Sequence, residues 1–411
     1  MSSEFSEAAA ALGQAIARSA IWFDGRCNWI GARPRDEADG ATAALGADLY
    51  GGTSGVALFL AEAGARLDDG RLRETALGAI RHALDHAGAI HPEHRDGLYL
   101  GPIGVVYAAA RVAELLGRED VRAGARTLLA AWRRDGARSP SSDVMSGCAG
   151  AVAGLVALTE RLEEPWLVEA AAALGDVVIA RAARRSAGWS WALAGRRSLH
   201  DLCGFSHGAA GIGHALAELF GVTGDARFRQ AALHAFDYER SWFDSRTGTW
   251  PDLRDVARRA GRDAPVPTAD SWCNGNPGIA LSRLRAAGLL GSAAVDRDSA
   301  AAVAASEGHV AELLTHAPAD FSLCHGAAGA GDVLLYAAER RTDRLAGLAA
   351  TLGRRGIDRH HGPGARGFPC GTPRGDTPAL LLGHAGIGMF YLRLLDAGVS
   401  TPLLVHRDGR G

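Results

Sequence analysis

Three short stretches carry the residues best suited to chemistry. Ser271-Trp272-Cys273-Asn274 precedes Gly275, Ser322-Leu323-Cys324-His325 precedes Gly326, and Gly204-Phe205-Ser206-His207 precedes Gly208. Each of these glycines opens a Gly-x-x-Gly element that leads into an apolar run. If each element marks the start of an inner helix, Cys273, Cys324 and His325 face one another at one end of a helical barrel, although 51 residues separate the cysteines. Two thiolates and one imidazole are a catalytic zinc set, with three protein ligands and one position open; a structural site usually has four protein ligands at short local spacing. An isolated Cys-His pair more often packs than binds metal, so it is the set that points to zinc.

The elements that must position these residues recur along the chain. A Gly-x-x-Gly element that leads into an apolar run recurs seven times, beginning at Gly52, Gly101, Gly147, Gly208, Gly275, Gly326 and Gly383, with first glycines 46 to 67 residues apart. Between the apolar runs lie longer amphipathic segments such as GRLRETALGAIRHALDHA and EDVRAGARTLLAAWRR, whose apolar residues recur at three- and four-residue steps. The unit is thus an outer amphipathic helix, a loop, a glycine turn and an inner apolar helix. Seven units predict an all-α fold, an α/α toroid of two rings with seven inner and about seven outer helices, forming a single domain over 1–411. The glycines serve a tight turn and close packing where inner helices converge. Strand signals are weak, and the long polar loop from Thr247 to Asp270 is expected to border the site.

Composition removes other classes. Net charge is -2, with no basic excess for a nucleic-acid backbone. The Ala-rich N-terminus carries Glu4, Glu7 and Arg18, unlike a signal peptide, and no apolar window is long enough for a membrane span. Six cysteines are sparse for a disulfide scaffold in a chain this long, which indicates a reducing, cytoplasmic setting. Cys148 and Cys203 read as small core residues, and Cys27 as packing on the exterior of the barrel. All 44 Lys and Arg residues are arginine, so a Schiff-base lysine and a Walker lysine are excluded.

Taken together, Trp-Cys-x-Gly at 272–275, Cys-His-Gly at 324–326, Ser-His-Gly-x-x-Gly at 206–211 and Asp143-Val-Met-Ser-Gly147 resemble the lanthionine synthetase C-like family, the zinc-dependent cyclases of lanthipeptide biosynthesis. The likeness covers nearly the whole chain. It implies zinc held by Cys273, Cys324 and His325, a catalytic acid at His207 and an acidic partner at Asp143. The chain departs from the family at three places: Asn274, His384 and Ala269. Asn274 and His384 are therefore expected to bear on substrate binding.

The resemblance implies a Michael-type addition. A peptide cysteine thiol attacks the β-carbon of dehydroalanine or dehydrobutyrine, giving a thioether ring, and His207 returns a proton to the α-carbon. The implied partners are a dehydrated precursor peptide and a separate dehydratase or kinase/lyase; such a product would be a ribosomal peptide antibiotic. Two alternatives belong beside it: a related enzyme adding glutathione to dehydrated proteins, and a non-catalytic toroid that binds a peptide or partner. Terpene cyclases and glycosidases share α/α architecture, but their acidic clusters are not evident here.

Overall fold

A computed structural model describes residues 3–32, 42–136, 138–195, 199–254, 267–316, 318–362, 365 and 367–407. Fourteen α-helices occur among them: α1 Ser3–Arg18, α2 Thr53–Arg66, α3 Gly70–His86, α4 Pro102–Leu116, α5 Glu119–Asp135, α6 Cys148–Leu162, α7 Leu167–Ala180, α8 Ala209–Thr223, α9 Ala226–Arg240, α10 Asn276–Leu290, α11 Ala293–Thr315, α12 Ala327–Ala338, α13 Asp343–His360 and α14 His384–Leu395. The all-α expectation holds. Each of the seven Gly-x-x-Gly elements named above starts an even-numbered helix of this series, as the glycine repeat predicts.

The two helix types follow from their sequences. Helix α2 is buried on every side from Thr53 to Gly64, as a helix apolar all round must be. Helix α3 buries one stripe, Leu72, Thr75, Ala76, Ala79, Ile80 and Ala83, and turns its charges outward. Asp69 caps it by accepting from the backbone N–H groups of Arg71 and Leu72 at 2.9 and 3.1 Å. Helix α5 starts on Glu119 and Asp120 and ends on Arg133 and Arg134, charges that suit its dipole, before Gly136 at φ 65°.

The chain forms two compact units. The first comprises residues 1–91, 99–136 and 310–403. In it the inner helices run α12, α14, α2, α4 as neighbours, and α13, α1, α3 and α5 pack outside them in the same order. The last repeat therefore lies beside the first, and the N-terminal helix α1 supplies the outer partner of α14. The second unit comprises residues 92–98, 137–309 and 404–411. Its inner helices run α6, α8, α10, with α7 and α9 outside α6 and α8. The pairing corrects the expected unit order: most inner helices pack chiefly on the outer helix that follows. The cause is loop length, since α2 and α3 are joined by residues 67–69 alone, which forces an antiparallel hairpin.

Among the described residues six three-residue strands form three two-stranded antiparallel sheets. In the first, β1 Ile21–Phe23 pairs with β2 Arg26–Asn28 in register Trp22–Cys27. Asp24 and Gly25 turn it at φ 47° and 69°, the left-handed pair that an Asp-Gly hairpin uses. Cys27 is buried there against α3, where its thiol donates to the Thr75 carbonyl at 3.4 Å. Cys148 and Cys203 are buried as well, as expected of core residues.

Candidate active site

The inner helices all begin the same way. The first glycine of each element is the N-cap, with φ between -99° and -138° and ψ near 180°, and no side chain caps the helix. In six elements the first N–H of the helix bonds to a carbonyl seven residues earlier: Thr53 to Gly46, Cys148 to Ser141, Ala209 to Leu202, Asn276 to Ala269, Ala327 to Asp320 and His384 to Thr377. That bond satisfies a donor the helix itself leaves open and closes a small loop over its N-terminus. The second glycine makes the closure possible. A Cβ at Gly211, Gly278, Gly329 or Gly386 would lie 1.9–2.0 Å from the carbonyl oxygen six residues earlier. The glycines thus admit the chain's own preceding loop as well as neighbouring helices, a distinction the repeat pattern does not carry.

The residue two before each first glycine occupies a common slot, filled by Tyr50, Tyr99, Met145, Ser206, Cys273, Cys324 and Leu381. Backbone bonds link these slots from loop to loop. In the first unit Cys324 N–H donates to Leu381, Leu381 to Tyr50 and Tyr50 to Tyr99, at 2.9–3.0 Å. In the second unit Ser206 N–H donates to the Cys273 carbonyl at 2.9 Å, and the Ser206 hydroxyl reaches the same oxygen at 3.0 Å. Both candidate ligand cysteines therefore stand in the same slot of consecutive repeats.

The second unit brings His207 and Asp143 together. His207 Nδ1 lies 2.7 Å from Asp143 Oδ2. Asp143 is 3% exposed, and its Oδ1 also accepts from the Ser146 N–H at 2.8 Å and the Ser146 hydroxyl at 3.2 Å. Burial pushes this carboxyl up, but the His207 ring and the Ser146 and Ser141 donors outweigh it and hold Asp143 below the usual carboxylate value. With Nδ1–H donated to the carboxylate, Asp143 sets the orientation of the His207 ring. Cys273 is half-buried, with its sulfur 3.4 Å from the Ser271 hydroxyl. Asn274 is buried, and a Cβ at Gly204, whose φ is 81°, would lie 2.9 Å from the Asn274 Cα, which leaves no room for a side chain there.

In the first unit the Cys324 thiol is buried and receives the Tyr50 hydroxyl at 3.1 Å. His325 Nε2 lies 3.2 Å from the Gly371 carbonyl and 3.7 Å from Asp320 Oδ2. A histidine whose Nε2–H is held by a carbonyl presents a lone pair at Nδ1, the arrangement that orients metal ligands. Tyr50 also lines a cavity of about 250 Å³ with Gly31, Asp48, Leu100, Thr377 and Leu382. Burial pushes the Asp48 carboxyl up to about 6, against backbone N–H donors that pull it down. Sequence reasoning missed Tyr50 and Asp48; the signal for Tyr50 was its place in the cysteine slot. His384 is the first residue of α14, with Nε2 3.4 Å from the Phe368 carbonyl. Of the 247–270 loop, residues 255–266 lie outside those described; the remainder is held by bridges Asp244–Thr249 and Pro251–Thr268.

No helix among the described residues is long and apolar enough to cross a membrane. No curated protein matches the chain. Among solved structures, nisin cyclase superposes with a TM-score of 0.63 at 16% identity, covering 86% of this chain and 89% of that one. The Lin0763 protein from Listeria innocua superposes at 0.51 and 11% identity, over 95% and 96% of the two chains. Identities this low speak for the fold alone, and the fold is the expected all-α class, the α/α toroid. The family described as lanthionine synthetase C-like protein matches residues 43–404, and the chain belongs to it.

Proposed function

We propose that the chain is a zinc-dependent lanthipeptide cyclase, adding cysteine thiols of a dehydrated precursor peptide to dehydroalanine or dehydrobutyrine to form (methyl)lanthionine rings. The observation that carries this reading is the 2.7 Å His207–Asp143 pair, a geometry suited to general-acid protonation of an enolate. Family membership and the likeness to nisin cyclase support it.

Cys273, Cys324 and His325 would hold the metal. Their donors, two sulfurs and an imidazole nitrogen, suit zinc, and His325 has its Nε2 occupied by Gly371 as a ligand through Nδ1 requires. Zinc there would convert a coordinated peptide thiol to its thiolate. The Tyr50 hydroxyl donates to the Cys324 sulfur at 3.1 Å and so orients this candidate ligand. Asp143 fixes the His207 ring, and in this reading the proton at Nε2 is the one delivered to the α-carbon. Nucleophile activation and protonation are thereby divided between different residues. The single domain over 1–411, the cytoplasmic setting and a separate dehydratase or kinase/lyase as partner belong to the same reading.

The test uses the full chain, zinc and a precursor peptide carrying cysteine and dehydroalanine. Cyclisation is read by mass spectrometry as lost reactivity toward a thiol-alkylating reagent. The Cys273→Ala, Cys324→Ala double variant should lose one equivalent of zinc relative to wild type and cease to cyclise. Retention of the full wild-type zinc content would sink the ligand assignment.

A further inference from the structure

The first unit holds a convergence of metal-binding side chains that the cyclase reading does not use. The ligand atoms of Cys370, Asp376 and His384 all lie within 4.8 Å of one another. Cys370 is buried, His384 half-buried and Asp376 exposed. We propose that these three residues form a second metal site, selective for a divalent ion of borderline softness such as zinc, on the segment that leads into α14.

The segment is braced independently of the three side chains. Beside Cys370, the Pro369 carbonyl accepts from Phe321 N–H and Gly371 N–H donates to Leu382, at 2.8 and 2.7 Å. The Asp376 carbonyl accepts from Ala32 N–H, and the His384 N–H donates to Thr377, both at 3.0 Å. The main chain therefore performs all the helix-starting work at this element, and nothing in that work calls for a histidine. The corresponding first helical residues elsewhere are Thr53, Pro102, Cys148, Ala209, Asn276 and Ala327, none of them imidazole. The Cys370 sulfur also meets the Thr377 carbonyl at 3.6 Å, a weak contact for a thiol.

The donor set decides the ion. One sulfur, one nitrogen and one carboxylate oxygen suit zinc, whereas magnesium and calcium require oxygen ligands. Three protein ligands leave a fourth position, which the exposure of Asp376 puts on the solvent side. The site also adjoins the first ligand set in the chain: Gly371, next to Cys370, carries the carbonyl that holds His325 Nε2. A metal on Cys370 would anchor that carbonyl. His384 thus becomes a metal ligand, a role different from the peptide contact expected from the sequence.

The experiment is metal analysis of the full chain after zinc loading and desalting, with Cys370→Ser, Asp376→Asn and His384→Gln. Wild type should carry one equivalent more than His384→Gln. The Cys273→Ala, Cys324→Ala variant should retain one equivalent that a further His384→Gln removes, which separates this site from the proposed cyclase ligands. Loading with magnesium in place of zinc should leave no bound metal at the site. Because Cys370 is buried, Cys370→Ser can fail to fold; Asp376→Asn and His384→Gln carry the decision. If both keep the wild-type zinc content with unchanged circular dichroism, the second site does not exist.

Discussion

Replacing His207 by asparagine separates what the dyad does for the reaction from what it does for the fold. In wild type the partners of the buried Asp143 carboxylate include His207 at 2.7 Å and the Ser146 N–H and hydroxyl. The shorter, uncharged side chain of His207→Asn would remove the charge-assisted one. Stripping one partner from a fully buried ion pair costs about 3–5 kcal/mol. His207, however, is 31% exposed on its side chain, so water reaches the gap and the loss should fall to about 1–3 kcal/mol. The pH dependence has a definite sign. Asp143 is held below its ordinary value in the folded state, so its contribution is present above the unfolded value near pH 4 and lost as pH falls through the lowered one. The stability gap between wild type and His207→Asn, measured by denaturant unfolding, should therefore be full at pH 6 and shrink below about pH 4. Activity should fall by about 10²–10⁴, the usual contribution of a general acid, with zinc retained. Cyclisation at the wild-type rate with chemistry limiting would remove His207 from the mechanism. A stability gap that grows toward low pH would refute the account of Asp143.

Other outcomes follow from parts of the fold away from the dyad. Gly329→Ala puts a Cβ 1.9 Å from the Leu323 carbonyl and should destabilise severely or prevent folding, whereas Gly308→Ala, in mid-helix with nothing within 4 Å, should stabilise by about 0.5–1 kcal/mol; thermal melts of the two distinguish them. Arg283→Met strands the Glu239 carboxylate, since both side chains of that ion pair are 0% exposed, and should cost about 3–5 kcal/mol by denaturant unfolding. Limited proteolysis should release no stable half from a single cooperative domain; recovery of a folded fragment would overturn that proposal.

Much of the fold was legible because the inner helices advertise themselves twice, by apolar residues on every side and by glycine at a fixed place. The pairing order was not legible, since it depends on loop length rather than on either pattern. The Asp24-Gly25 hairpin carried a recognised turn signal, but its three-residue arms are too short to show alternation. His207 and Asp143 were found through their motifs, and the 2.7 Å contact joins residues 64 apart in the chain. Tyr50 escaped notice because an aromatic before a glycine turn resembles core. Cys370, Asp376 and His384 share no spacing rule; backbone bonds to Leu382, Ala32 and Thr377 tie down the segment that carries them.

The loop-to-loop stitching at the helix N-termini has an evolutionary consequence. The stitch is made mainly by main-chain N–H and carbonyl groups, so a tyrosine, a serine, a cysteine and a leucine can all occupy stitched slots. Proline alone is barred at the positions that donate, for want of an N–H. Reactive side chains in these slots can thus be gained, traded or discarded by point mutation while the scaffold persists. A lineage built this way can drift into inactive descendants, or into descendants with new reactivity, without passing through an unfolded ancestor.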